Sequence, residues 1–272
     1  RGLRRRLMDI QPPVVITRPG ERGAVLAAAI EARGLPVARL EAMRVEALPE
    51  TPEQRAAWLD FDHFRRVVVV SPFAAECLAE ALDRYWPQLP LGIDYYAVGA
   101  ATAAVLHERL GVRVHVPPAE AGEDTSEALL RLGSLQRLAG EKVLLVAGEG
   151  GRTLLAETLA ERGARVTRLA VYRRTPLAPS PDMQRRLARG EFRALVVSSG
   201  EILEHLARWC QGAALNQPLI VSSTRLATLA GKLGFRAPVV ASGATPAALT
   251  AALATACDPQ DADVDQDDLE KG

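Results

Sequence analysis

Part of this chain is a reworked copy of another part, and that constrains its fold more than any single motif. "VVITRPGERGAVLAAAIEARGLPVARLEAM" lies over "VLLVAGEGGRTLLAETLAERGARVTRLAVY", which places Gly34 on Gly163. "RVVVVSPFAAECLAEAL" lies over "RALVVSSGEILEHLARW". "YAVGAATAAVLHERLG" lies over "LIVSSTRLATLAGKLG", which places Gly111 on Gly234. Beyond the last pair, "GEDTSEALL" corresponds to "GATPAALT". Turn residues match as well as apolar ones, and the spacing drifts slowly from pair to pair. The pattern is an internal duplication with small loop differences. It is not a solenoid, whose repeats recur roughly every 20–50 residues.

The repeated piece is a strand followed by a helix. Strands are expected at "PVVITR", "RVVVVS", "DYYAVG", "KVLLVA", "RALVVS", "PLIVSS" and "APVVAS". Such β-branched runs alternating with helical segments predict an α/β fold with parallel strands. Their consecutive apolar residues suit strands covered by helices on both faces. The simplest domain map cuts the chain near Gly140. However, "EAMRVEAL" and "LAVYRRTPL" read as extended segments, compatible with two strands crossing between domains. The residues alone leave both maps open.

Composition removes several function classes. Lysine plus arginine and aspartate plus glutamate both number 33, so no net charge recruits nucleic acid or a membrane. No window approaches the ~18 apolar residues of a membrane span. Cys77, Cys210 and Cys257 are odd in number and widely spaced, which predicts reduced thiols in a cytoplasmic protein. "RGLRRRL" lacks the apolar core of a signal peptide and reads as a start-site remnant rather than a targeting segment. The acidic "CDPQDADVDQDDLEKG" reads as a disordered tail.

Ligands of α/β sheets gather at the carboxyl ends of strands, where helix N-termini point. Here those ends read "TRPGERG", "SPFAAE", "GAATAA", "AGEGGR", "SSGE" and "SSTR". Helix capping explains much of this. Ser71 before Pro72 is an N-cap with proline at the first helical position. Ser198 with Glu201 has capping-box spacing, and Thr245 precedes Pro246. Capping and ligand binding are compatible, because the remaining amides at a helix start hold anions. "GEGGR" at Gly148–Arg152 resembles a phosphate cradle, but no complete phosphate-loop motif is present. His63, His107, His115 and His205 share no ligand spacing, so no metal is expected. No serine has a nucleophile-elbow context. Tyr172, before "RRTP", is the candidate proton donor.

The order of these motifs, from about Pro12 to Cys257, resembles the uroporphyrinogen-III synthases. The motifs are "VVITRPGERGAVLAAAIEARG", "VVVVSPFAAECL", "YAVGAATAAVLHERLG", "GEDTSEALL", "GEGGRTLLAETLAERGARVTRLAVYRR", "LVVSSGEILEHL" and "TPAALTAAL". The resemblance implies two flavodoxin-like parallel-sheet domains joined by a two-stranded β linker, one domain being discontinuous. Residues 12–40 with 178–257 would form one domain, 49–168 the other, 41–48 and 169–177 the linker, and 1–11 and 258–272 flexible tails. The serine-ended units would then face each other across one cleft, with domain closure as the default expectation.

The family's reaction takes a linear hydroxymethylbilane, loses its terminal hydroxyl as water, inverts the last pyrrole ring and closes the macrocycle without a cofactor. The resemblance makes Tyr172 the residue assisting loss of that hydroxyl. It makes Thr102 of "GAATAA" a cleft residue, with Ser71, Ser198, Ser199, Gly200 and Ser223. Gly148 and its loop, with Arg18, Arg152 and Arg225, would hold carboxylates. Ala147 stands where many relatives carry a basic residue, and "VSSTR", with Ser223 and Thr224, differs from the "GPTTA" of some relatives. The expected partners are the linear tetrapyrrole and, by hand-off, hydroxymethylbilane synthase. A monomer is expected. The rival readings are a non-catalytic two-lobed binding protein, a regulatory or scaffold paralogue with a decayed cleft, and a nucleotide-dependent enzyme.

Overall fold

A computed structural model of the chain describes residues 11–118 and 126–257. The expected tails therefore lie, Gln11 apart, outside the described residues, as do residues 119–125, which include the start of "GEDTSEALL". Contacts divide the chain into two compact units, 1–44 with 176–272 and 45–175.

The first unit holds a five-stranded sheet. Its strands are β1 (Val14–Ile16), β2 (Val37–Arg39), β9 (Ala194–Val197), β10 (Leu219–Val221) and β11 (Pro238–Val240). They lie in the order β11-β10-β9-β1-β2, and every neighbouring pair is parallel. Numbered by appearance within the unit, this is the 2-1-3-4-5 order of flavodoxin-like folds. The second unit holds β3 (Met43–Ala47), β4 (Arg66–Val69), β5 (Asp94–Ala97), β6 (Val114–His115), β7 (Lys142–Gly148) and β8 (Arg165–Pro176), in the order β3-β8-β7-β4-β5-β6. Counted from β7, its parallel strands follow the same order, entered at a different point of the chain.

β3 is the additional edge strand. Leu48 N donates to Val171 O, and Leu177 N donates to Ala42 O, so β3 and β8 run antiparallel. Both strands run past the division between the units. All seven expected strands are present. β2, β6 and the first part of β8 were not expected, because these partly exposed segments lack continuous apolar runs.

Strand periodicity distributes the core. Val67, Val69, Leu144 and Val146 enter one cluster, while Val68, Val143 and Leu145 enter another across the same sheet. In the first unit, Val15, Leu195 and Val197 separate in the same way from Val14, Ile16, Ala194 and Val196. Both faces are therefore covered, as the unbroken apolar runs require. No helix among the described residues is long and apolar enough to cross a membrane.

The glycines matched by the duplication share a backbone state. Gly34 and Gly163 have φ +82° and +96°, and Gly111 and Gly234 have +67° and +98°. Each turns the chain out of a helix in the left-handed region, where a Cβ is disfavoured. The copies differ in their surroundings. A Cβ on Gly34 would meet nothing within 4 Å, whereas one on Gly163 would lie 2.8 Å from Ala139 Cα. Gly34→Ala is thus expected to cost about 1 kcal/mol, and Gly163→Ala about 3 kcal/mol because backbone must also move. Urea denaturation of the two variants checks this; equal costs would refute any contribution from the close approach.

Candidate functional site

In a 2-1-3-4-5 sheet, the first two helical connections leave from opposite sides of the first strand, which opens a crevice where the order reverses. In the second unit that place is the carboxyl end of β7 beside β4. Here the chain brings Ser71, Gly148 and Tyr172 together. Ser71 Oγ caps helix Pro72–Tyr85 by accepting from Ala74 N at 3.2 Å. It also donates to the Tyr172 hydroxyl at 3.0 Å. Two hydroxyls sharing one hydrogen bond keep one proton between them for another acceptor.

The tyrosine is held by two backbone features. Along β7 and β8, Ala147 pairs with Ala170 but Gly148 pairs with Tyr172, a bulge that adds Val171 to the longer strand. The bulge leaves the consecutive residues Val171 and Tyr172 in one apolar cluster, where a regular strand would send them to opposite faces. Gly148 then makes room for the ring. A Cβ there would lie 2.6 Å from Tyr172 Cε2 and Cζ. Glu149 N closes the contact by donating to Tyr172 O at 2.8 Å. Phe73 packs edge-on to the ring at 5.3 Å, and Tyr172 is only 3% exposed.

The corresponding place in the first unit is the end of β1 beside β9. Arg18 Nη2 donates to Ser198 Oγ at 3.4 Å and to Ala244 O at 2.6 Å, tying three strand ends together. Burial, and then the like charge of Arg22, pushes its guanidinium below its ordinary value, so an anion here would relieve a real cost. Ser199, rather than Ser198, caps helix Gly200–Ala207, accepting from Ile202 N. The expected capping-box serine is one residue early, which leaves Ser198 to meet Arg18. Ser223 caps helix Thr224–Lys232 through Leu226 N, and Thr245 caps the next helix through Ala248 N.

The remaining candidates are placed differently. Thr102, in the first turn of helix Ala100–Leu110, is 2% exposed and is not presented at the rim. Arg152 is exposed and paired with Glu127, whose carboxyl it holds below the usual range. Arg225 is exposed in the first turn of its helix. A Cβ on Gly200 would meet only ordinary contacts with Leu229 and Leu226, so no steric demand keeps it a glycine. Among the described residues, no group of three or more His, Cys, Asp or Glu could hold a metal ion.

Two residues went unnoticed in the sequence. Arg168 donates to Gly148 O at 2.9 Å and Gly150 O at 2.7 Å, and so shapes the glycine loop. Arg174 Nη2 lies 3.4 Å from the Tyr172 hydroxyl. The signal for Arg174 was its two-residue spacing from Tyr172 along one strand; Arg168 lies before the bulge, so spacing along the strand does not link it to them. The cysteines are not reactive groups of the site. Burial, followed by Glu80 and Glu76, pushes Cys77 up to about 11, and burial alone pushes Cys210 up to about 11.

A family model described as uroporphyrinogen-III synthase HemD matches residues 24–251. The chain is 34% identical to the uroporphyrinogen-III synthase of Escherichia coli K12 over 252 residues, 88% of this chain and 99% of that one. It is also 34% identical to the protein of that name from Salmonella typhimurium LT2 over 253 residues, with the same shares. A crystal structure of a mutant uroporphyrinogen III synthase from Thermus thermophilus matches with TM-score 0.61 at 24% identity, covering 89% of this chain and 99% of that one. The corresponding Helicobacter pylori structure gives 0.58 at 16% identity, covering 90% and 98%. These structural likenesses speak for the two-domain α/β fold.

Gly148→Ala is expected to cost about 1–3 kcal/mol and to turn the Tyr172 ring off β7. Denaturation and a crystal structure of the variant would check both, and an unmoved ring would show that the glycine is not what seats it. Iodoacetamide should label Cys210 at pH 8 about a hundredfold more slowly than an unfolded thiol. Because this thiol is raised on folding, its stabilising effect is complete below about pH 9 and lost as pH rises towards 11. A Tm that holds through that window would refute the burial.

Proposed function

The chain belongs to the uroporphyrinogen-III synthase family, and from that premise we propose that it closes linear hydroxymethylbilane to uroporphyrinogen III, with inversion of the last ring. The substrate supplies most of the electronic push. A pyrrole nitrogen lone pair expels the terminal hydroxyl, which leaves as water once protonated. Unaided, the bilane closes without inversion. The protein must therefore orient a flexible polycarboxylate and protonate one oxygen, and orientation alone is worth several kcal/mol to such a closure, roughly 7–11 at best. No cofactor enters this chemistry.

The reading rests on one observation, the Ser71–Tyr172 hydroxyl pair at 3.0 Å, seated on Gly148 at the place where strand order reverses. Tyr172 gives its proton to the departing hydroxyl, and Ser71 orients the phenol. Arg18, with Ser198 beside it and the helix starts at Ser199, Gly200 and Ser223, receives acetate and propionate groups through a guanidinium and backbone amides. Arg152 contributes by exchanging Glu127 for a substrate carboxylate, and Arg225 from its exposed first turn. Thr102 acts through the packing of its helix start. The division of the chain supports 41–48 and 169–177 as the linker between 12–40 with 178–257 and 49–168. A cytoplasmic monomer receiving its substrate from hydroxymethylbilane synthase completes the proposal.

The test is turnover of freshly made hydroxymethylbilane, with oxidised products separated by porphyrin isomer. Mainly type III above a no-enzyme control is expected. Type I alone, at the uncatalysed level, would point instead to a non-catalytic binding or regulatory paralogue. Tyr172→Phe should lower kcat about a hundredfold; near-normal turnover would remove the tyrosine from the mechanism.

A further inference from the structure

We propose that Arg174 is a further positioning residue of the reaction, whose guanidinium balances the charge that Tyr172 acquires on giving up its proton; the inference rests on the role assigned above to Tyr172. The strand period of two puts both side chains on the same side of β8 beyond the bulge. Arg174 Nη2 stands 3.4 Å from the phenol oxygen, and its Cζ lies 5.8 Å from the ring centroid. The guanidinium thus addresses both the hydroxyl and the ring.

Burial makes this contact consequential. Tyr172 is 3% exposed, with Phe73 at its edge and β7 against its ring. The charge left on the phenol oxygen during the transfer lies where water has little access, so a positive charge beside it stabilises the transition state. Ser71 offers one neutral donor. Arg174 offers a full positive charge on an exposed side chain, whose own hydration cost is small.

The step balances without a co-reactant. The bond between the terminal methylene carbon and its hydroxyl oxygen breaks, and the electron pair leaves with the oxygen. The Tyr172 proton goes to that oxygen and water departs. The pyrrole nitrogen lone pair fills the deficit at carbon, and a phenolate remains beside Arg174. The methylene carbon then bonds the substituted α-carbon of the last pyrrole, the bond from that α-carbon to its old bridging methylene breaks, and the freed methylene bonds the ring's other α-carbon. Loss of one proton there restores aromaticity and returns the phenol. Substrate and product then differ by one water.

Steady-state kinetics of the full chain and its Tyr172→Phe, Arg174→Gln, Arg174→Lys and Tyr172→Phe/Arg174→Gln variants test the proposal, with isomers separated. Arg174→Gln should lower kcat about ten- to a hundredfold, the worth of a charge-assisted hydrogen bond made in the transition state, with KM little changed. Arg174→Lys should restore a large part of the loss. In the Tyr172→Phe background the glutamine should have no further effect, because the group it acts through is gone. Additive losses, a change confined to KM, or no recovery with lysine would each overturn the role of Arg174. Near-normal turnover of Tyr172→Phe would instead overturn the reading of the tyrosine, and the arginine's role with it.

Discussion

Parallel pairing obliges every strand of a sheet to deliver its carboxyl end to the same edge, and the chemistry of this chain is organised by that obligation. A helix must start close to each such end, so the edge collects amide groups that the helix itself cannot satisfy. Serines and threonines at the ends satisfy some of them. Others remain for a ligand. The 2-1-3-4-5 order adds a crevice to the edge, and each unit puts its distinctive side chains there: Arg18 with Ser198 in one, Ser71 with Tyr172 in the other.

The tyrosine shows how backbone irregularity places a side chain. Had β8 kept regular pairing, Val171 and Tyr172 would have gone to opposite faces of the sheet. The extra residue lets both lie on one side, and the missing side chain at Gly148 lets the ring approach the neighbouring strand. Neither feature stabilises the sheet. A bulge interrupts the ladder, and a glycine gives up packing and chain stiffness. Their presence together beside a hydroxyl pair marks a place where geometry is kept at a cost in stability.

Much of this was legible from the residues because the signals were local. Seven strands were apolar runs bounded by turns, and the duplication aligned glycines that share left-handed conformations. What escaped depended on pairing between distant residues. β2 and β6 are short edge strands that owe their form to a neighbour. Ser199 rather than Ser198 became the cap, a shift of one residue that spacing could not resolve. Gly148 read as the start of a phosphate-like loop, whereas its neighbour in space is the ring of Tyr172. Arg152 read as a charge available to a ligand, and Glu127 pairs with it. Arg174 was passed over although it stands two residues beyond Tyr172 on the same strand.

The broken continuity of the first unit also sets an order of assembly on the ribosome. β1 is made early, yet one of its two flanking strands is β9, and Thr17 at its end bonds Val196 across 179 residues of chain. The middle unit is contiguous, so nearly everything it packs against itself is synthesised before β9 exists. Through that interval β1 and helix Gly20–Glu31 have β2 for company and little to cover their apolar residues, a long-range debt of the kind that slows folding and invites association. A nascent chain with residue 175 just clear of the ribosome would carry a complete middle unit beside an unfinished N-terminal segment.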